Sequence, residues 1–346
     1  MKALSLFANV GIAETYLKQE GIDIVVANEL LPERARFYSH LYPDCNMICG
    51  DITTTEIYDQ VIAKARENNV EFIIAPPPCQ GMSIAGKSDP DDPRNYLVTY
   101  AADAIRDLQP KYVLMENVFM QLKTQIVYNG KKILIPDYLD AIFGDDYYIE
   151  KQVIDTKYYG VPQQRKRAII LMSRKDTGKR WLFPPRDEHI ITLEEAIGDL
   201  PSLDPYVKEK EYRDVFPDYE KKLQAGLAVS KWHFPKDHVW RNVEVMMHTP
   251  TGCSARQNPI YFPKKKDGTM VGGAPRTYMR MDWDKAAPTI TSYNHTISSF
   301  QNVHPGRLDP QTGLYSDARV LTIFEMIRIM SLPDNWDIPD WASTQL

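Results

Sequence analysis

The chain has 346 residues, 43% of them hydrophobic and 25% charged. That is soluble globular composition, long enough for two domains, and no apolar run approaches the roughly 20 residues of a membrane span. A net charge of -5 excludes a protein that is basic all over, but the charge is uneven. From Met1 to Val70 six Lys/Arg stand against ten Asp/Glu, whereas from Lys157 to Arg180 eight Lys/Arg stand against one acid, Asp176. A local basic face can hold phosphates even on an acidic protein.

Ala3 to Phe7 predicts a first strand, Asn9 and Gly11 a turn, and Ile12 to Gln19 a helix. Asn9 breaks the amino-terminal apolar run and no small-x-small cleavage site follows, which argues against secretion, and the cysteine spacing suits a reduced, cytoplasmic setting. Ile22 to Ala27 predicts a second strand ending in Asn28 and Glu29, and Pro32 to Leu41 a helix with proline in its first turn. Met47 to Ile52 predicts a third strand, Glu56 to Asn68 a helix and Glu71 to Ala75 a fourth strand. Strands alternating with helices argue for an α/β fold with a parallel, doubly wound sheet. A carboxylate about 20 residues after a glycine turn commonly binds ribose hydroxyls, which suits Glu29 after Gly11. Asp51, at the next strand end, is placed to accept from an adenine amino group. The set Gly11, Glu29, Asp51 points to a nucleoside cofactor.

The fourth strand meets Pro76, Pro77 and Pro78, then Cys79, Gln80 and Gly81. Proline fixes φ and donates no N–H, so the strand stops in a stiff, non-helical arm. Open α/β sheets bind ligands at the carboxyl ends of their strands. A lone cysteine is usually structural, but the stiff polar neighbours of Cys79 suit chemistry better. The remaining cysteines, Cys45, Cys49 and Cys253, fit neither a zinc knuckle nor a disulfide framework. His233, His238, His248, His295 and His304 are too scattered for a metal site.

Gly81 to Arg94 is polar and reads as a mobile loop of the kind that forms lids; Lys111 to Met115 predicts a fifth strand running into Glu116-Asn117-Val118. Tyr147 to Asp155 and Lys166 to Met172 predict two more strands. Between them, Gln163, Arg165 and Arg167 alternate, so on a strand they share one face. Two guanidiniums on one face need an anion between them, either phosphate or a substrate base. From about Arg186 to Phe300 the alternation is lost, in an irregular segment that includes the basic run Lys264 to Lys266.

The proline-cysteine-glutamine loop resembles that of DNA cytosine-5 methyltransferases. SLFANVGIAE is similar to the family's first motif, with Phe7 and Gly11 matching, Ser5 where the family often has Asp and Asn9 where it often has Gly. DPRNYL from Asp92 to Leu97, Glu-Asn-Val at Glu116, Gln-x-Arg-x-Arg at Gln163, and RVLTIFEMIRIMSLPDNW with Arg319, Leu321, Thr322, Glu325, Arg328 and Pro333 match further motifs. The resemblance implies a Rossmann-like methyltransferase sheet over residues 1–185, a target-recognition domain over 186–300 and a return segment over 301–346 that packs on the catalytic domain. It implies S-adenosyl-L-methionine as cofactor, held by Phe7, Gly11, Glu29, Asp51, Pro78 and Leu97, with Phe7 on the adenine. Cys79 is then the nucleophile and Glu116 the acid at cytosine N3, while Arg165 supplies positive charge to the thiol. Gln80, Ser83, Gln163 and Arg167 are assigned to DNA, and no metal is implied. The implied partners are double-stranded DNA and the cognate endonuclease of a restriction-modification system. The family's tenth motif is missing, so the surface from Phe7 to Glu14 is expected to be partly uncovered, to be completed by a further segment or a second chain. An RNA cytosine-5 methyltransferase, a non-catalytic DNA-binding member and a dehydrogenase are the alternatives that the sequence leaves standing.

Overall fold

In a computed structural model, the structure describes residues 1–78, 92–258, 261–262, 264–265, 267–270, 276–291 and 301–342. Strand β1 (Lys2–Leu6) has four buried residues in a row, as a strand covered on both faces should. The strands β2 (Asp23–Glu29), β3 (Asn46–Cys49) and β4 (Phe72–Ala75) follow, separated by helices α1 (Pro32–Leu41) and α2 (Thr55–Glu67). Pro32 sits in the first turn of α1, and the Thr54 side chain caps α2 by accepting from the Ile57 amide. Helix α3 (Leu97–Leu108) buries Val98, Ala101, Ala102, Ala104 and Ile105, one face at helical spacing. It leads to β5 (Tyr112–Val118), a hairpin β6 (Gln125–Tyr128) and β7 (Lys131–Leu134), helix α4 (Ile135–Phe143), then β8 (Tyr147–Asp155) and β9 (Lys166–Arg174).

Seven strands form one sheet in the order β3-β2-β1-β4-β5-β9-β8. All pairings are parallel except those of β9, which runs antiparallel to both β5 and β8. The order reverses between β1 and β4, and the crevice at such a switch point is where ligands of doubly wound sheets sit. Leu4, Leu6, Ile73, Val113 and Met115 join α2, α3 and α4 in the main core on one face, while Ala3, Phe72 and Ile74 meet Trp181 on the other. Truncating one of these fully buried aliphatics to Ala typically costs about 2–5 kcal/mol.

Two elements differ from their sequence reading. Ile12 to Gln19 is no α-helix but a run of turns, with Leu17 N bonded to Glu14 O at 3.0 Å and Gln19 N to Tyr16 O at 3.1 Å. Glu14 is drawn inward to Ser5 on β1, its Oε1 accepting from Ser5 Oγ at 2.5 Å, and the short segment closes in i to i+3 turns around that tie. The third strand ends at Cys49, not Ile52. Gly50 there closes back on β2, its N–H donating to Glu29 O at 3.0 Å.

Beyond β9 the chain is irregular, with helices α5 (Leu193–Ile197), α6 (Tyr219–Val229) and α7 (Trp240–His248) and a two-residue pairing of β10 (Tyr206–Val207) with β11 (Asp237–His238). Helix α8 (Ile323–Ile329) packs Leu321 and Ile329 with Leu193 and Ile197 of α5 and with Met281, Ala287 and Ile290. The return segment therefore shares its core with the second region. It reaches the sheet domain through Trp336 and Trp341, which pack on Phe37 of α1 at ring distances of 5.7 and 6.1 Å.

Polar groups hold this region in place of regular structure. Arg319, fully buried, bonds Asp317 and both oxygens of Glu325 at 2.8–2.9 Å. Thr322 and Glu325 form a reciprocal capping box at the start of α8. Arg280, also fully buried, donates to the carbonyls of Thr249, His304, Pro305 and Met246. His233, His238 and His304 serve as hydrogen-bond partners of Thr322, Val320 and Gly306, each drawn below the usual histidine range chiefly by burial.

Candidate active site

Glu116 sits near the carboxyl end of β5, its side chain one-third exposed, and its Oε1 lies 2.7 Å from Nε of Arg167 on β9. The antiparallel register explains the pair. Glu116 is opposite Ile169 and Val118 opposite Arg167, so Glu116 and Arg167 are diagonal neighbours on one face. A charge-assisted bond of this kind fixes the carboxylate while leaving its other oxygen for a ligand. The neighbouring Asn117 points the opposite way and is buried. Its Nδ2 donates to Pro77 O at 2.8 Å, tying the end of β5 to the proline arm after β4.

That arm carries Pro76, Pro77 and Pro78; Cys79, Gln80 and Ser83 lie outside the described residues. Past them the chain re-enters at Asp92. Asp92 accepts from the backbone and guanidinium of Arg94 at 2.6–3.2 Å, which holds its carboxyl down at about 2. A turn of 3-10 helix, Pro93–Tyr96, then places Leu97 at the start of α3.

The alternating Gln163, Arg165 and Arg167 do not share a strand face. Strand β9 begins at Lys166, and residues 163–165 before it bond to the second region. Gln163 is buried and its Oε1 accepts from the Ile290 amide at 3.2 Å. Arg165 Nη1 donates to Ile290 O at 3.2 Å and its backbone N–H to Asp155 at 3.1 Å. Backbone bonds of Gln164 N to Ala287 O and Ala287 N to Pro162 O complete the seam. Arg167 thus meets Glu116, and a strand period alone could not show it, because Gln163 and Arg165 lie before the ladder begins.

On the other side of the switch point, Phe7 follows β1 at a φ of 56°, a left-handed turn that swings the chain out of the sheet. Asn9, at φ 52°, is of the residue type that bears this conformation best. Gly11 is required twice over. Its φ is 85°, and a Cβ there would lie 2.3 Å from the Tyr42 ring, whose hydroxyl donates to Gly11 O at 2.6 Å. Glu29 is buried; its two oxygens accept from Asn9 N at 2.9 Å and Leu31 N at 3.0 Å. The expected ribose acid therefore braces the turn itself. Asp51 is exposed, with Oδ1 accepting from Thr53 N and Oγ1.

Sequence reasoning missed the Ser5–Glu14 pair. Glu14 is buried, its Oε2 has no partner, and burial pushes its carboxyl up to about 7. Tyr42 and Cys45 beside it are each pushed up to about 12, first by burial. The available signal was Ser5 standing where an acid is usual. Ile12, Tyr16, Leu30 and Leu31 are exposed, whereas Ala8, Val10 and Glu14 are buried.

The family model of C-5 cytosine-specific DNA methylases matches residues 1–346. The chain belongs to this family. It is similar to the Type II methyltransferase M1.HgaI of Avibacterium volantium, 44% identical over 97% of this chain and 89% of the relative. It also matches M.DdeI of Desulfomicrobium norvegicum, at 28% identity over 97% of this chain and 79% of that protein. Its fold is that of a DNA modification methyltransferase encoded within an E. coli prophage, with a TM-score of 0.64 at 20% identity over 96% of this chain and 89% of that one. The chain is thus a DNA (cytosine-5-)-methyltransferase with the Rossmann-like sheet of that class, and its cofactor is S-adenosyl-L-methionine. The switch-point crevice fits that cofactor. Phe7, Pro78 and Leu97 offer part-exposed apolar surface and Asp51 an exposed carboxylate. Among the described residues, no helix is long and apolar enough to cross a membrane.

Proposed function

We propose that the protein methylates C5 of a cytosine flipped out of a specific duplex DNA sequence, with Cys79 as the covalent nucleophile. The observation that carries this reading is the Glu116–Arg167 pair, joined through Asn117 to the proline arm that leads into Cys79. C5 of cytosine is a poor nucleophile. Addition of the Cys79 thiolate to C6 moves electron density onto C5 and N3, and an acid at N3 shares its proton. We assign that task to Glu116, and its contact with Arg167 supports one fixed orientation. Bound S-adenosylmethionine supplies the electrophilic methyl group. Loss of the C5 proton to a base and expulsion of Cys79 then restore the aromatic ring. The target base cannot be reached inside a duplex, so it must leave the stack.

Residues 1–185 are read as the catalytic domain, 186–300 as the segment that sets sequence choice and 301–346 as the return. The Type II names of the relatives support a role beside a cognate restriction endonuclease. Gln80, Ser83 and Arg167 remain the proposed DNA-side residues and Arg165 the proposed source of positive charge for the Cys79 thiol, whereas Gln163, buried against Ile290, holds the seam instead.

The test is transfer of labelled methyl to duplex DNA and to tRNA in parallel, followed by sequencing of the methylated product. Labelled duplex at one short sequence is expected. Label in tRNA alone would overturn the reading.

A further inference from the structure

The hairpin β6–β7 follows the strand that carries Glu116 after one turn of 3-10 helix, Phe119–Lys123. Its turn, Asn129-Gly130, has φ of 50° and 73°, the type I′ geometry that matches strand twist in a two-residue loop. Its inner face is anchored: Ile126 and Ile133 sit opposite each other and join the main core, and Tyr128 packs edge-on to Tyr138 at 5.1 Å. Its outer edge is tethered, Val127 N donating to the Tyr96 hydroxyl at 3.2 Å. Tyr96 lies four residues after Asp92, where the chain returns from the Cys79 segment.

From Phe119 to Leu134 the chain has three lysines and no acid. Lys123, Lys131 and Lys132 are all exposed, and no carboxylate among the described residues pairs with them. Lys64, Lys111 and Lys151, by contrast, each meet a carboxylate. An isolated two-stranded hairpin is marginal by itself, so the core anchors and the Tyr96 tether make a rigid basic arm on an acidic protein. It follows the carboxyl end of β5, the strand that holds Glu116.

We propose that this hairpin, together with Lys123 of the turn before it, is a phosphate clamp that grips the duplex backbone through Lys123, Lys131 and Lys132. The proposal rests on duplex DNA being the substrate. A lysine–phosphate contact carries no sequence information, so the clamp adds affinity without changing the methylated sequence.

The experiment is the salt dependence of duplex binding for the wild type, for the triple variant Lys123→Gln, Lys131→Gln, Lys132→Gln, and for the matching Lys→Arg triple. Removing one lysine–phosphate pairing makes the slope of log K against log salt shallower by about 0.9. The Gln triple is expected to lose about 2 to 3 units of slope and to raise KM for DNA more than it lowers kcat, with the methylated sequence unchanged. The Arg triple should restore the slope, which separates lost charge from lost folding. A wild-type slope in a folded Gln triple would overturn the clamp. A wild type that methylates no duplex would instead overturn the substrate reading.

Discussion

Two buried glutamates in two regions show what a carboxylate becomes when its surroundings differ. Glu14, behind the turn after β1, faces Ser5 and the phenols of α1 with no cation in contact, and burial pushes its carboxyl up to about 7. Glu325, in the second region, is equally buried but meets both ends of the Arg319 guanidinium, which holds it down at about 2 against its own burial. Desolvation acts on both in the same direction; the partner decides the sign. Glu116 is the third case, also paired with an arginine but one-third exposed. Saturated and dry, the ion cluster of Glu325 can only hold structure, whereas Glu116 keeps one side open to a ligand.

Four substitutions sharpen that contrast. The largest effect belongs to the chemistry itself: Cys79→Ser should abolish turnover and the trapped complex with 5-fluorocytosine DNA, assayed by gel shift under denaturing conditions. Retained turnover would remove Cys79 from the role. Next comes Glu116→Gln, which should lower kcat about 10²–10⁴-fold while leaving cofactor affinity by calorimetry unchanged. If cofactor affinity collapses together with kcat, Glu116 is a structural residue like Glu325.

Arg319→Met should cost about 3–5 kcal/mol in denaturant unfolding, because two buried carboxylates lose their cation. A loss below ~1 kcal/mol would show that the cluster relaxes or hydrates.

The smallest effect is read against pH. The folded carboxyl of Glu14 binds its proton up to about pH 7, the unfolded one only to about 4.5. Between those values the folded state holds more protons, so stability falls as pH rises through the window, by about 3 kcal/mol. Glu325 acts oppositely: its contribution is present above about 4.5 and is lost as pH falls toward 2. Glu14→Gln should flatten the neutral limb of the stability curve and leave the acid limb. An unaltered neutral limb would mean that Glu14 is ionised in the fold.

The sequence by itself determined the alternation of strands and helices and the place of most of them. These follow from local physics: apolar runs and prolines after Ala75 and at Pro32 need only near neighbours. It also marked Gly11, Glu116 and the Arg319-to-Pro333 stretch as positions that matter. Only the tertiary structure decided which arginine Glu116 meets, because the pairing depends on where the β5–β9 ladder begins, and residues 163–165 are taken up by the second region instead. It turned Glu29 toward the amides of Asn9 and Leu31, and it coiled residues 12–19 in turns around the Ser5–Glu14 tie. It also joined α8 to α5 across more than a hundred residues of chain. Each of these outcomes is a choice between partners distant in sequence. Such choices are settled by burial and hydrogen-bond satisfaction, and neither can be read from spacing along the chain.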